Sequence, residues 1–210
     1  MHRFLSFFLV TLLLVWLTPT LVLSQPSLQG PQTGTLGPGT FLVVGDIYVP
    51  HGQTLTILPG TTFLHTGHFT WYINGLIHAV GNSDSLIQFL RQQPIENHRW
   101  GGLRFQAGAS NESLIEDCII DNCKNITTPN YYGGGIYSNG VSFTVRDTKI
   151  STCYASYGGG AYITGGAAVE FDHCLVLKNE AGNGAGLYFY GSPNSIVKNS
   201  LIARNKSTST

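Results

Sequence analysis

Four stretches of this chain superimpose on one another: Ile115–Cys123, Val145–Cys153, Phe171–Asn179 and Val197–Asn205. Each runs apolar, charged, Asp/His/Asn, small, any, Ile/Val, any, any, and closes on Cys or Asn. A glycine-rich strand follows the first three, at Gly133-Gly134-Gly135-Ile136-Tyr137, Gly158-Gly159-Gly160-Ala161-Tyr162 and Gly184-Ala185-Gly186-Leu187-Tyr188. A unit this short has too little apolar surface to fold alone, so copies must stack and share one core. The repeat constrains architecture far more than activity.

Stacking turns each repeat position into a column. Ile115, Val145, Phe171 and Val197 make one apolar ladder, and Ile120, Ile150, Val176 and Ile202 make another. Strand alternation sends the residue after each member of the first ladder outward. Those residues are Glu116, Arg146, Asp172 and Lys198, whose charges alternate in sign. Opposite charges on neighbouring strands stabilise a sheet, so the alternation supports this alignment.

Upstream, short alternating strands are expected at Leu55/Ile57, Thr61/Phe63, Ile73 with Leu76, Ile87/Phe89 and Leu103/Phe105, punctuated by glycine and proline. No stretch after the N-terminal segment has a helical apolar period, so almost no helix is expected. The phrase Asp46-Ile47-Tyr48-Val49-Pro50, then Gly52-Gln53-Thr54-Leu55-Thr56-Ile57, Pro59-Gly60-Thr61 and Trp100-Gly101-Gly102-Leu103, resembles the opening coils of secreted right-handed parallel β-helix proteins. A weaker likeness is to polymorphic outer-membrane-type surface repeats, at Val176-Leu177-Lys178-Asn179 and Gly159-Gly160-Ala161. The resemblance spans residues 41–207 and implies an all-β, single-stranded parallel solenoid of roughly six to seven coils. Such families include adhesins, autotransporter passengers and polysaccharide-active enzymes, so fold alone does not choose a function.

Residues 1–24 read as a cleavable signal peptide: His2-Arg3, an apolar run from Phe4 to Leu17, Pro19, then Val22 and Ser24 before Gln25. A retained anchor is the competing reading; no later segment is apolar enough to span a bilayer. Residues 25–39 read as a flexible linker and 40–210 as the solenoid, expected to be incomplete because no capping element follows Lys206. Eleven basic residues balance eleven acidic ones, which argues against nucleic acid as a partner. Cys118 and Cys174 share a column two coils apart, too far to bridge. Cys123 and Cys153 share another on adjacent coils, where stacked free thiols are favoured over a disulfide.

For function, the column Asp117, Asp147, His173, Asn199 could be two catalytic acids beside a histidine, or corner residues in left-handed turns. The corner reading is favoured, since no second acid column converges on it. Nothing matches the clustered aspartates with Gly-His-Gly of polygalacturonases or the calcium-plus-arginine set of pectate lyases. Tyr137, Tyr162 and Tyr188 align as an outward aromatic stripe suited to sugar or a partner surface, or to sheet stacking alone. The glycine runs lack the helix and Lys-Ser/Thr of a phosphate cradle. His65-x-x-His68 is the only close histidine pair and reads as a solvated turn, so neither metal nor cofactor is expected. Sequons stand at Asn111, Asn125 and Asn205; for a eukaryotic source Asn125 and Asn111 are the expected glycan sites, while Asn205 falls in an inward ladder. The expected function is non-catalytic adhesion or glycan contact outside the cytoplasm, with a polysaccharide lyase or hydrolase as the alternative and a structural spacer as a third.

Overall fold

The computed structural model describes residues 25–208; the expected signal peptide lies outside the described residues. The chain winds as a parallel β-solenoid whose coils stack in register. One face is a seven-stranded sheet running from Gly34–Leu36 through Thr54–Ile57, Leu76–Val80, Leu114–Glu116, Thr144–Arg146 and Glu170–Asp172 to Ile196–Lys198. The long strand Gly39–Val49 belongs to two further faces, its first half pairing into one stack and its last residues into the other. A fourth, shorter face begins at Lys124–Asn125. The only helical element among the described residues is a single 3₁₀ turn, Glu96–His98.

The two ladders expected from the repeat are present. Ile115, Val145, Phe171 and Val197 pair in register, and the row extends back through Ala79 and Ile57 to Leu36. Ile120, Ile150, Val176 and Ile202 form the second row, preceded by Phe89, Phe63 and Phe41. All but the outermost members are sealed from solvent, and each buried Ile or Phe contributes about 1.5–3 kcal/mol. Val197 and Ile202 are 39% and 46% exposed, lying in the last coil of the described residues.

Corners separate the faces. Asp117, Asp147, His173 and Asn199 all adopt φ between 46° and 52°, and Asn122, Thr152, Lys178 and Arg204 make a second corner with φ between 56° and 62°. Asn, Asp and His tolerate this left-handed conformation through local hydrogen bonding. The corner reading of the acid column is therefore what the backbone shows.

Residues 25–39 correct the linker expectation. Ser27–Pro31 pairs in parallel with Gly39–Val49, and Gly34–Leu36 begins the seven-stranded sheet. Leu28 and Leu36 pack on the core, and Gly30, Gly34 and Gly37 take positive φ. Gly/Pro enrichment here serves tight corners between paired strands.

The widest part of the interior is aromatic. Phe63, Phe89, Trp71 and Trp100 surround His65, whose ring stacks on Trp100 at 4.1 Å between centroids. His65 is completely buried rather than in a solvated turn, which overturns that part of the His65/His68 reading. Its Nδ1–H donates to the Leu90 carbonyl (2.8 Å) and its Nε2 accepts the Trp71 indole N–H (3.0 Å). The ring is thereby neutral, and burial pushes its pKa down to about 3.

Candidate functional site

Tyr137, Tyr162 and Tyr188 pair in register. Ile136, Ala161 and Leu187, one residue earlier, point inward, so alternation turns the tyrosines out. Their rings stack at 6.0 Å and 5.3 Å with interplanar angles of 13° and 19°. The same column continues upstream through Arg104, Tyr72 and Tyr48. Tyr48 and Tyr72 stack at 5.3 Å, and the Arg104 guanidinium lies 4.4 Å from the centre of the Tyr137 ring. Arg104 donates to the Tyr132 carbonyl at 3.0 Å and is 3% exposed. Burial lowers its pKa to about 10, opposed by Tyr137 and Tyr72. It acts as a cationic spacer that keeps the aromatic column continuous.

A second, shorter column lies beside the first. Tyr132 and Tyr157 bridge in parallel, and Asn183 follows Tyr157 on the next coil. The Tyr132 ring sits 4.8 Å from Tyr162, 5.5 Å from Tyr157 and 6.5 Å from Tyr137, while Tyr157 is 6.2 Å from Tyr188. The glycine-rich turns make this possible. Gly133, Gly158 and Gly184 have φ of 64°, 66° and 60°, and a Cβ on Gly158 or Gly184 would meet the Cβ of Tyr162 or Tyr188 at 2.7 or 2.6 Å. The sequence signature is Tyr-Gly-Gly-Gly-x-Tyr, present twice, with Asn183 replacing the first tyrosine in the third copy. Eight of the ten tyrosines thus gather on one side, Tyr131 joining through Tyr132. Sequence comparison of the repeats alone found three of them. Tyr132 and Tyr157 were legible in the doubled motif, whereas Arg104, Tyr72 and Tyr48 lie in coils of irregular length.

This geometry decides what the face can offer. The rings of the long column lie face to face, so their flat surfaces contact one another and only ring edges are left for a ligand. Tyr162, packed against Tyr132 as well, is only 8% exposed, and burial, with Tyr132 and Tyr188 beside it, raises its pKa. The adjacent loop therefore covers the middle of the stripe. Tyr48, Tyr131 and Tyr157 are the open members, 38%, 36% and 37% exposed.

The acid column offers less. Asp117, Asp147 and His173 border a groove of about 330 Å³ with Leu86, Ile119, Lys149 and Leu175. Burial and the neighbouring Asp147 raise the Asp117 pKa. His173 is drawn instead to Asp172, with Nδ1 to Oδ1 at 2.9 Å. Asp172 also accepts from Asn199 and lies 3.6 Å from Lys198; these contacts, the Asn199 bond foremost, hold its carboxyl below the usual range. The alternating ladder is completed by Arg146, 3.6 Å from Glu116 and 4.0 Å from Asp172. Arg146→Glu would place three negative charges in succession. A loss of about 1–2 kcal/mol in urea unfolding is expected, shrinking with added salt.

The sequons divide. Asn111 is exposed, its Oδ1 accepting the Ser142 N–H. Asn125 is 1% exposed and its Nδ2 donates to the carbonyls of Gly101, Gly133 and Gly134. The atom a glycan would occupy is enclosed, which corrects the expectation for Asn125: its strand turns the side chain beneath the glycine turns. Asn205 lies in the inward ladder, Nδ2 bonded to the Val176 carbonyl and Oδ1 accepting from Asn179. All four cysteines are free and buried, and desolvation raises the pKa of Cys118, Cys123 and Cys174, the last to about 11. Among the described residues no cluster of three or more His, Cys, Asp or Glu could hold a metal ion, and no helix is long and apolar enough to cross a membrane.

The family model for right-handed β-helix regions matches residues 95–209, more than half of the chain. The chain belongs to this right-handed β-helix family. No curated protein and no solved structure matches it.

Proposed function

We propose that this right-handed β-helix is an exported protein that catalyses no reaction and contacts glycan through its tyrosine face. The observation that carries the reading is the column Tyr48, Tyr72, Arg104, Tyr137, Tyr162 and Tyr188, flanked by Tyr132 and Tyr157. Tyrosines stand on adjacent strands about 4.8 Å apart along the axis at Tyr48–Tyr72 and again at Tyr137–Tyr162–Tyr188, with Arg104 between the two runs. A ligand that uses such a row must itself repeat hydroxyl groups at short intervals along its length, which a polysaccharide does. Tyrosine combines a rigid apolar body with a hydrogen-bonding tip, so it contributes contact area at small entropic cost.

The test is a glycan array probed with the mature chain, its Tyr48→Ser and Tyr157→Ser variants, and Tyr162→Ala. The two exposed positions should each lose about tenfold in apparent affinity, the effect of about 1.4 kcal/mol per contact. Unchanged binding by all three, with wild-type far-UV circular dichroism, would sink the reading. A second reading, a polysaccharide lyase or hydrolase, is favoured by one observation: the raised Asp117 carboxyl next to Asp147 in a groove. Release of reducing ends or unsaturated uronates from acidic polysaccharides, abolished by Asp117→Asn, would establish it instead.

A further inference from the structure

Away from the tyrosine face, the outer surface between the two left-handed corners holds three cations that form no ion pair among the described residues. A groove of about 380 Å³ is lined by Asp121, Lys149, Ser151, Thr152, Leu177, Lys178 and Arg204. Lys149, Lys178 and Arg204 are exposed, and among the described residues none lies within ion-pair distance of a carboxylate. Asp121, the one acid present, is already engaged: its Oδ1 accepts the Ser151 hydroxyl at 2.6 Å and its Oδ2 accepts from Asn122 Nδ2. The groove therefore carries three positive charges against one committed negative charge.

The arrangement contrasts with the adjoining face, where Glu116, Arg146, Asp172 and Lys198 alternate in sign. Lys178 and Arg204 instead occupy the same corner position on successive coils, in line with Leu177 paired to Ala203. Like charges on neighbouring coils repel. Both residues also sit at positive φ, 56° and 59°, a conformation in which Asn or Gly is more comfortable than a long cationic side chain. Asn122 holds that corner in an earlier coil. Two separate local costs thus fall on the residues that supply the groove's charge, and internal partners offset neither.

We propose that this groove is an oxyanion site, in which Lys149, Lys178 and Arg204 take the sulfate or carboxylate substituents of an acidic polysaccharide. Arg204 offers a planar fork to an oxyanion, the lysines act as point charges, and the Thr152 hydroxyl stands at the rim. The half-buried aliphatic side chain of Leu177, in the lining of the groove, suits the C–H face of a sugar ring. The small net charge suits discrete substituents rather than the continuous phosphates of a nucleic acid, and the chain as a whole is neutral. The site is independent of the tyrosine face and stands or falls separately from it.

The test is calorimetric titration of the mature chain with three probes: a sulfated glycosaminoglycan hexasaccharide, an oligogalacturonate carrying carboxylates only, and uncharged cellohexaose. At least one charged probe should bind, with affinity falling steeply as salt rises, and cellohexaose should not bind at this groove. The sulfated and carboxylated arms distinguish the two sources of oxyanion. Lys178→Gln combined with Arg204→Gln should weaken the charged probe at least tenfold, whereas Arg91→Gln, outside the groove, should leave it within twofold. Circular dichroism confirms folding of each variant. Absence of binding by both charged probes would overturn the proposal, as would a loss in Arg91→Gln equal to that in the groove variant.

Discussion

Gly159→Ala should lower the unfolding free energy by about 3 kcal/mol or more. A Cβ at Gly159 would sit 2.5 Å from the Glu180 carbonyl oxygen and closer still to that of Ala185, both on the following coil. Backbone oxygens cannot rotate away as a side chain can, so relief requires the coils to separate. Gly160 N donates to the carbonyls of Ala185 and Gly186, and those bonds would lengthen too. The same turn position in the last described coil is Ala185, where among the described residues no strand pairs beyond Leu187–Tyr190, so a methyl there meets no described backbone oxygen of a following coil. Urea unfolding of Gly159→Ala against wild type checks the prediction; a change below 0.5 kcal/mol (about the noise of surface substitutions) would mean that the coils are not this closely spaced.

Acid should destabilise the protein through His65. In the unfolded chain its imidazole takes up a proton near pH 6.5; in the fold it does so only near pH 3. Between those values only the unfolded chain binds the proton, so acid favours unfolding. Stability from this group is complete above pH 6.5, falls by up to about 1.4 kcal/mol per unit below it, and is lost near pH 3. The cause is physical enclosure: protonating Nε2 would remove the acceptor of the Trp71 indole bond and place a charge against Trp100 with no carboxylate beside it. His65→Phe should flatten that part of the pH profile, while losing about 1–3 kcal/mol at pH 8 because Trp71 Nε1 and the Leu90 carbonyl lose their partner. An unaltered acid slope in the variant would assign the sensitivity to carboxylates instead.

The later coils were legible because their length is nearly constant. Ile115, Val145, Phe171 and Val197 fall into one row by inspection, and their outward neighbours then show the charge alternation that the ion pairs realise. The earlier coils hide the same row, since Ala79 is separated from Ile115 by the excursion that carries Glu96–His98. Without equal spacing the aromatic column could not be followed from Tyr137 back to Arg104 and Tyr48. The linker expectation failed for a related reason: Gly and Pro mark corners as readily as flexible chain, and the anchors Leu28 and Leu36 are single apolar residues in a polar stretch. Asn125 was misjudged because a variable-length connection suggests solvent, whereas its side chain closes the space under three glycine carbonyls. The Lys178 and Arg204 corner carried no signal in the repeat, since corner positions tolerate several residue types and only φ values reveal the cost.

Tyrosines far apart in the chain become ring neighbours across a single strand gap. Nuclear Overhauser spectroscopy of a sample protonated only at its tyrosine rings measures that directly. Cross-peaks from Tyr162 to Tyr137, Tyr188 and Tyr132 are expected, together with a Tyr48–Tyr72 pair. A well-dispersed spectrum in which Tyr162 shows no contact to Tyr137 or Tyr188 would contradict the stacking and, with it, the tyrosine face.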